Sequence, residues 1–232
     1  MSLISQLPLG IMNSICSKYD VILASSSPRR YEILHDIMGL TELKTMVPTF
    51  EENLDKTKYS TNPIEYARDT SRRKAQSIVE ILSDYQNENS NEIEKPKLII
   101  CADTIIIDKD GKIYEKPITK EVQMRFLMKF CYEDDEPVNV VTAVTLMKWY
   151  NKEDFELVPF QDETKVYFDN KIPLRVLQEY VESGDGLEAG GGFKIQGQGG
   201  ILIEKIEGDY YNVVGLPLNK IFKGLYAEAN AL

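Results

Sequence analysis

Residues 19–30 read YDVILASSSPRR, an apolar run that stops abruptly at three serines, a proline and two arginines. Tyr19 to Ala24, apolar apart from Asp20, has the length and composition of a buried strand. A helix is predicted directly after it. Ser27 stands at the capping position and Pro28 at the first helical residue, and Ile33, Leu34, Ile37 and Met38 recur at helical spacing before Gly39 ends the pattern. The turn between strand and helix, Ser25 to Arg30, gathers free backbone N–H groups, hydroxyls and two guanidiniums, which together suit an anion. Two cations at a helix N-terminus oppose its dipole by about 0.3–1 kcal/mol each, so an anionic partner would offset a local cost. The same residues also suit a serine cap whose arginines pair with surface carboxylates. The glycine and lysine spacing of a Walker A loop is absent.

Outward from this unit, TFEENLD (49–55) is a polar loop. A second helix begins near Pro63 and runs through Ala67, Ser71, Ala75, Ile78, Val79 and Leu82, with Lys74 inside it. Residues 83–96, SDYQNENSNEIEKP, are polar and biased in composition and read as a surface loop or insertion without a core of its own. KLIICADTIII (97–107) is a second buried strand, DKDG a tight turn, and GKIYEKP the return. Glu121 to Phe130 reads as helix. Val138 to Phe168, rich in Val, Thr, Tyr and Phe, reads as two or three strands of a mixed or antiparallel part of the sheet. A helix over Pro173 to Glu182 ends near Gly184, ahead of the glycine-rich GDGLEAGGGFKIQGQGG (184–200), where backbone must approach something closely. The strand ILIEKI, the turn GDYYN and an amphipathic helix from Leu216 complete an α/β chain. The expected organisation is an N-terminal extension over 1–18, packed on the surface or partly disordered, followed by a single domain over 19–232.

A net charge of -10 argues against a nucleic acid polymer or an anionic membrane as partner, because either needs an extended basic face. A small anion needs only a local cluster. Cys16, Cys101 and Cys131 are far apart and His35 is the lone histidine, so neither a zinc site nor a disulfide framework is indicated, and a reducing cytoplasm is the simplest location. No apolar run is long enough to cross a membrane, and the N-terminal segment lacks the basic start of a signal peptide.

Asp103 ends the apolar part of a buried strand, where open α/β sheets place ligands in a crevice; a carboxylate there can hold a divalent cation, accept a proton from water, or simply cap a turn. Glu51 and Glu52 could join it as the oxygen ligands magnesium prefers, although a Glu-Glu pair alone is ordinary solvated surface. Lys74 and Lys116 are each unremarkable surface cations in isolation. Jointly, the serine turn, the acids and the lysines make sense around a phosphorylated ligand and its metal.

LASSSPRRYEIL, FEE, RRKAQ, ADTIII, EKP, IQGQGG and GDYYNVVGLPL, in this order, resemble the Maf family of nucleoside triphosphate pyrophosphatases from about Tyr19 to Leu225. The resemblance implies a central mixed twisted sheet with flanking helices and two lobes around a cleft, similar to the inosine triphosphatase fold. It implies hydrolysis of a nucleoside triphosphate to monophosphate and pyrophosphate with a divalent metal (Mg2+ or Mn2+), in a homodimer. By the same resemblance Ser25, Arg29 and Arg30 match the phosphate-binding turn, Asp103 the catalytic aspartate, and Glu51 the acidic loop residue with Glu52 as its substitute. Lys74, Lys116 and Gln196 match further substrate-binding positions. The arginine after Ser-Pro, the lysine of KP and the glutamine of IQG resemble the subgroup that prefers pyrimidine nucleotides such as dTTP, UTP and CTP. The chain departs from the pattern at Ala189, where a lysine is usual and Lys194 stands nearby, and over FCYEDDEPVNVVTA (130–143), where Ala143 replaces a glycine. Two other readings remain at this point: a nucleotide-binding regulator of cell division that no longer hydrolyses, and a nucleotidyl transferase with an additional acceptor.

Overall fold

The structure, a computed structural model, describes residues 10–88 and 95–230. Its centre is a seven-stranded mixed sheet of order β2-β1-β3-β5-β6-β7, with β4 attached to β3. The strands are β1 (Asp20–Ala24), β2 (Lys44–Met46), β3 (Lys97–Ile107), β4 (Ile113–Tyr114), β5 (Val138–Asn151), β6 (Asp154–Phe168) and β7 (Ile203–Glu207). The first three run parallel, while β3–β5, β5–β6 and β6–β7 are antiparallel. The region read as two or three strands is therefore one long hairpin, registered from Val138↔Val166 to Trp149↔Phe155 and closed by a bulge near Asn151.

Among the described residues seven α-helices flank the sheet: α1 (Gly10–Lys18), α2 (Pro28–Glu32), α3 (Ile64–Glu88), α4 (Lys120–Met128), α5 (Leu174–Ser183), α6 (Tyr210–Val214) and α7 (Leu218–Asn230). The period-two alternation of the strands assigns each face. Val21 and Leu23 of β1, with Leu98, Ile100 and Ala102 of β3, pack against α1, α2 and α7. Ile22, Ala24, Ile99 and Cys101 pack on the other side against Ala75, Ile78 and Leu82 of α3. A separate core joins α4 and α5 to the far ends of β5 and β6 through Leu127, Phe130, Val140, Val166 and Leu177.

Three elements differ from the sequence reading. Residues 10–18, expected as part of a surface extension, form α1 and bury Met12, Ile15 and Cys16 in the main core; their i, i+3, i+4 spacing makes an apolar stripe. Residues 1–9 lie outside the described set. The helix α3 continues to Glu88, into the segment read as a loop from residue 83; residues 89–94 also lie outside the described set. GDYYN is not a bare turn but a capped helix start, in which the Asp209 carboxylate accepts from Tyr211 N–H at 2.8 Å. Gly184, at φ 72°, terminates α5 in the left-handed conformation expected of a helix-ending glycine. All three cysteines are free and buried.

Candidate active site

The site follows from where β1 stops. It pairs with β3 only as far as Leu23↔Ile100, whereas β3 continues to Ile107. The Ser25–Arg29 turn therefore lies beside the flank of β3 that β1 leaves unpaired. On that flank Asp103 continues the alternation of Ile99 and Cys101 and faces α3. There Lys74 shares a helix face with Ser71, Ala75 and Ile78, and all of these are buried. The result is a cleft of about 800 Å³ lined by the serine turn, Arg29, Arg30, Glu52, Lys74, Asp103, Lys116, Lys194 and Gln196. That volume is in the range of a nucleotide-sized ligand.

At its centre the Lys74 ammonium bridges two carboxylates, at 2.8 Å from Glu52 Oε1 and 3.1 Å from Asp103 Oδ1, with Ala102 O at 3.4 Å. Asp103 is 6% exposed. Burial pushes its carboxyl above the ordinary 3.8, with Lys74 and Arg30 pulling it back and Glu52 adding to the rise. The two adjacent glutamates separate here. Glu52 reaches Lys74, whereas Glu51 is exposed, accepts from Asn53 Nδ2 at 3.3 Å and does not line the cleft.

The two adjacent arginines separate as well. Arg30 is buried, and its guanidinium is spent inside the protein: Nε donates to Gly215 O at 3.0 Å, and the terminal nitrogens donate to Ala102 O at 2.8 Å and Thr104 Oγ1 at 3.0 Å. It ties the serine turn to β3 and to the loop after α6. Arg29 is half-buried and donates one bond, to Glu188 O at 3.3 Å. Ser25 Oγ accepts from Ser27 N–H at 3.1 Å, while Ser27, expected as the helix cap, makes no side-chain cap bond.

Lys116 and Gln196 stand on the walls. Lys116 pairs loosely with Glu188 at 3.4 Å, both side chains being well exposed, and Gln196 is exposed in the cleft. Ala189 is buried and lines no part of the cleft, but Lys194 does, held to Asp185 at 3.0 Å. The glycine-rich segment is packed against itself: a Cβ at Gly186 would lie 2.0 Å from Gly192 O. Ala143 sits opposite Asp103 in the β3–β5 register.

Sequence reasoning missed Thr104, which accepts from Arg30 and lies 3.0 Å from Thr142 Oγ1. It also missed Asn212, buried and donating to Val140 O at 2.9 Å and Thr164 Oγ1 at 3.1 Å. The GDYYNVVG segment thus both supports and lines the cleft: Asn212 anchors it to the sheet, Gly215 O receives Arg30, and Val213, Val214 and Gly215 are among the lining residues. No group of three metal-ligating carboxylate, thiol or imidazole side chains occurs among the described residues. The donor set nevertheless fits a magnesium-like ion, which needs one or two carboxylates and takes the rest of its oxygens from phosphates and water. Asp103 and Glu52 already converge on one cationic centre.

A family model described as Maf-like protein matches residues 20–228. A dTTP/UTP pyrophosphatase of Saccharomyces cerevisiae is 81% identical over 228 residues, covering 98% of each chain. Proteins of the same description from Schizosaccharomyces pombe and Clostridium perfringens are 39% and 36% identical; each match covers 88% of this chain, and 81% and 95% of the relative respectively.

Proposed function

The chain belongs to the Maf-like protein family, and on that premise we propose that its cleft hydrolyses dTTP and UTP to the nucleoside monophosphate and pyrophosphate. The observation that carries the proposal is the Lys74 ammonium held between Glu52 and Asp103 beside the serine turn. A charged core of this kind matches the triphosphate and the ion that accompanies it.

In this reading Ser25 and Arg29 receive phosphate oxygens at the turn, and Lys116, which shares Glu188 with Arg29, adds a further cation beside them. Their present partners, Glu188 and its carbonyl, are exposed and weakly held, so an anion can replace them at small cost. Arg30 positions the turn. Asp103 accepts the proton of the attacking water; its burial keeps it more basic than a solvated carboxylate, and Lys74 orients it. The water oxygen bonds to the α-phosphorus, the bond from that phosphorus to the bridging oxygen breaks, and pyrophosphate departs. Lys74 and Arg29 stabilise the charge that builds on the departing group. Asp103 and Glu52 are the residues that would hold Mg2+ or Mn2+, which when bound neutralises phosphate charge. Gln196, whose amide offers a donor and an acceptor, reads the pyrimidine edge; CTP is included among the proposed substrates on that ground.

Purified protein incubated with a panel of nucleoside triphosphates and magnesium or manganese tests the reading. UMP and pyrophosphate in equal amounts support it; UDP and phosphate, or binding without products, would refute it. No helix among the described residues is long and apolar enough to cross a membrane. A cytoplasmic homodimer completes the proposal, the dimer being checked by mass in solution.

A further inference from the structure

The segment between β4 and α4 holds a feature that the catalytic reading leaves unused. Ile118 has φ 64°, the sole positive φ at a non-glycine position among the described residues, and β-branched side chains tolerate this region poorly. The cause is local. Thr119 N–H donates to Pro117 O at 2.7 Å and closes a three-residue turn around Ile118; turns of this hand are rare and strained. Thr119 then caps α4, accepting from Val122 N–H at 3.4 Å, and Ile118 N–H reaches Leu187 O at 3.4 Å.

Core packing does not repay that strain, because Ile118 is 63% exposed. Its side chain stands on the cleft wall two residues from Lys116. Val47, 64% exposed, lines the same cleft from the end of β2, next to Pro48 and near Phe50. The cleft thus has a charged centre at Asp103 and Lys74 and two exposed aliphatic side chains besides. A nucleoside triphosphate has the same division, a charged tail and a flat base whose faces are apolar. Strain retained at an exposed residue of a ligand cleft points to a role in that cleft.

We propose that Ile118 and Val47 form an apolar lip that receives the face of the pyrimidine ring, and that the strained turn persists because it holds Ile118 there beside Lys116. The proposal rests on the pyrophosphatase reading and names the part of the site that takes the base. Ile118→Gly removes side chain and strain together, since glycine accepts positive φ freely. Its melting temperature is expected to be no lower than that of the parent, while its kcat/KM for UTP falls roughly tenfold through KM, the scale on which small apolar contacts discriminate. Inhibition by inorganic tripolyphosphate, which carries no base, stays unchanged. Ile118→Val, which keeps the apolar surface, restores kcat/KM, and Val47→Ser lowers it in the same way. An Ile118→Gly protein with parental kcat/KM, with tripolyphosphate inhibition weakened in proportion, or with a lowered melting temperature would overturn the proposal. Should the parent protein itself give no UMP and pyrophosphate, the pyrophosphatase reading fails separately. The lip is then judged by calorimetric affinity for UTP, which must be weaker in Ile118→Gly than in the parent.

Discussion

Arg29 and Arg30 are neighbours with the same side chain, and the structure gives them opposite consequences when truncated. Arg30→Ala removes three donors from Gly215 O, Ala102 O and Thr104 Oγ1, at 3.0, 2.8 and 3.0 Å, in a buried setting. Hydrogen bonds to a charged group contribute about 1.5–3 kcal/mol each, but much of that is offset by the cost of burying the guanidinium. Leaving these buried neutral acceptors without their donor costs about 1–3 kcal/mol each, and with part of that recovered because a guanidinium is no longer buried, a net loss of about 3–5 kcal/mol is expected. For a chain of this size about 1 kcal/mol moves the melting temperature by roughly 2–4 °C, so Arg30→Ala is expected to melt roughly 6–20 °C lower. Arg29→Ala gives up one bond, 3.3 Å long and exposed, and should change stability by under about 1 kcal/mol. Its effect falls on KM for UTP instead, because a guanidinium held by one long bond is the one available to phosphate. Thermal melts followed by circular dichroism, with UTP kinetics on the same preparations, read both quantities. An Arg30→Ala protein that melts within 2 °C of the parent, or an Arg29→Ala protein destabilised as much as Arg30→Ala, would refute the division of labour.

Further outcomes follow from the same geometry. In the metal-free protein the Asp103 carboxyl should titrate above the ordinary 3.8, since burial raises it, as read by the pH dependence of its carboxyl NMR signal; titration at or below 3.8 would contradict this. Glu52→Gln should raise the magnesium concentration needed for half-maximal activity, whereas Glu51→Gln, at a residue that does not line the cleft, should leave it unchanged; equal effects would contradict the choice of Glu52. Gln196→Ala should compress the ratio of kcat/KM for UTP over GTP, and an unchanged ratio would remove Gln196 from base selection. Asp209→Ala deletes a helix cap and should cost about 0.5–2 kcal/mol of stability with KM preserved, as measured by urea unfolding.

Much of this fold was legible because periodicity carries it. The alternation of β3 sets Asp103 on the face of Ile99 and Cys101, and the helical spacing of Ser71, Lys74, Ala75 and Ile78 sets Lys74 opposite. A sharper reading of the same kind would have separated the arginines, since Arg30 lies three and four residues before Ile33 and Leu34, all buried on one face. Glu51 and Glu52 offered no such signal, because a loop has no period and only its path decides which carboxylate turns inward. Reading residues 1–18 as an extension misses α1, although Met12, Ile15 and Cys16 have helical spacing. The strain at Ile118 was illegible, for nothing in KPIT demands a positive φ; it arises from joining the end of β4 to the cap of α4.

Hydrolysis of UTP in water labelled with heavy oxygen, with both products analysed by mass, tests the central claim most directly. Attack at the α-phosphorus places the label in UMP and leaves pyrophosphate unlabelled, and Asp103→Asn should slow that reaction by on the order of 10²–10⁴-fold, the usual contribution of a general base. Label in pyrophosphate, or an Asp103→Asn protein that turns over at the parental rate, would contradict the account.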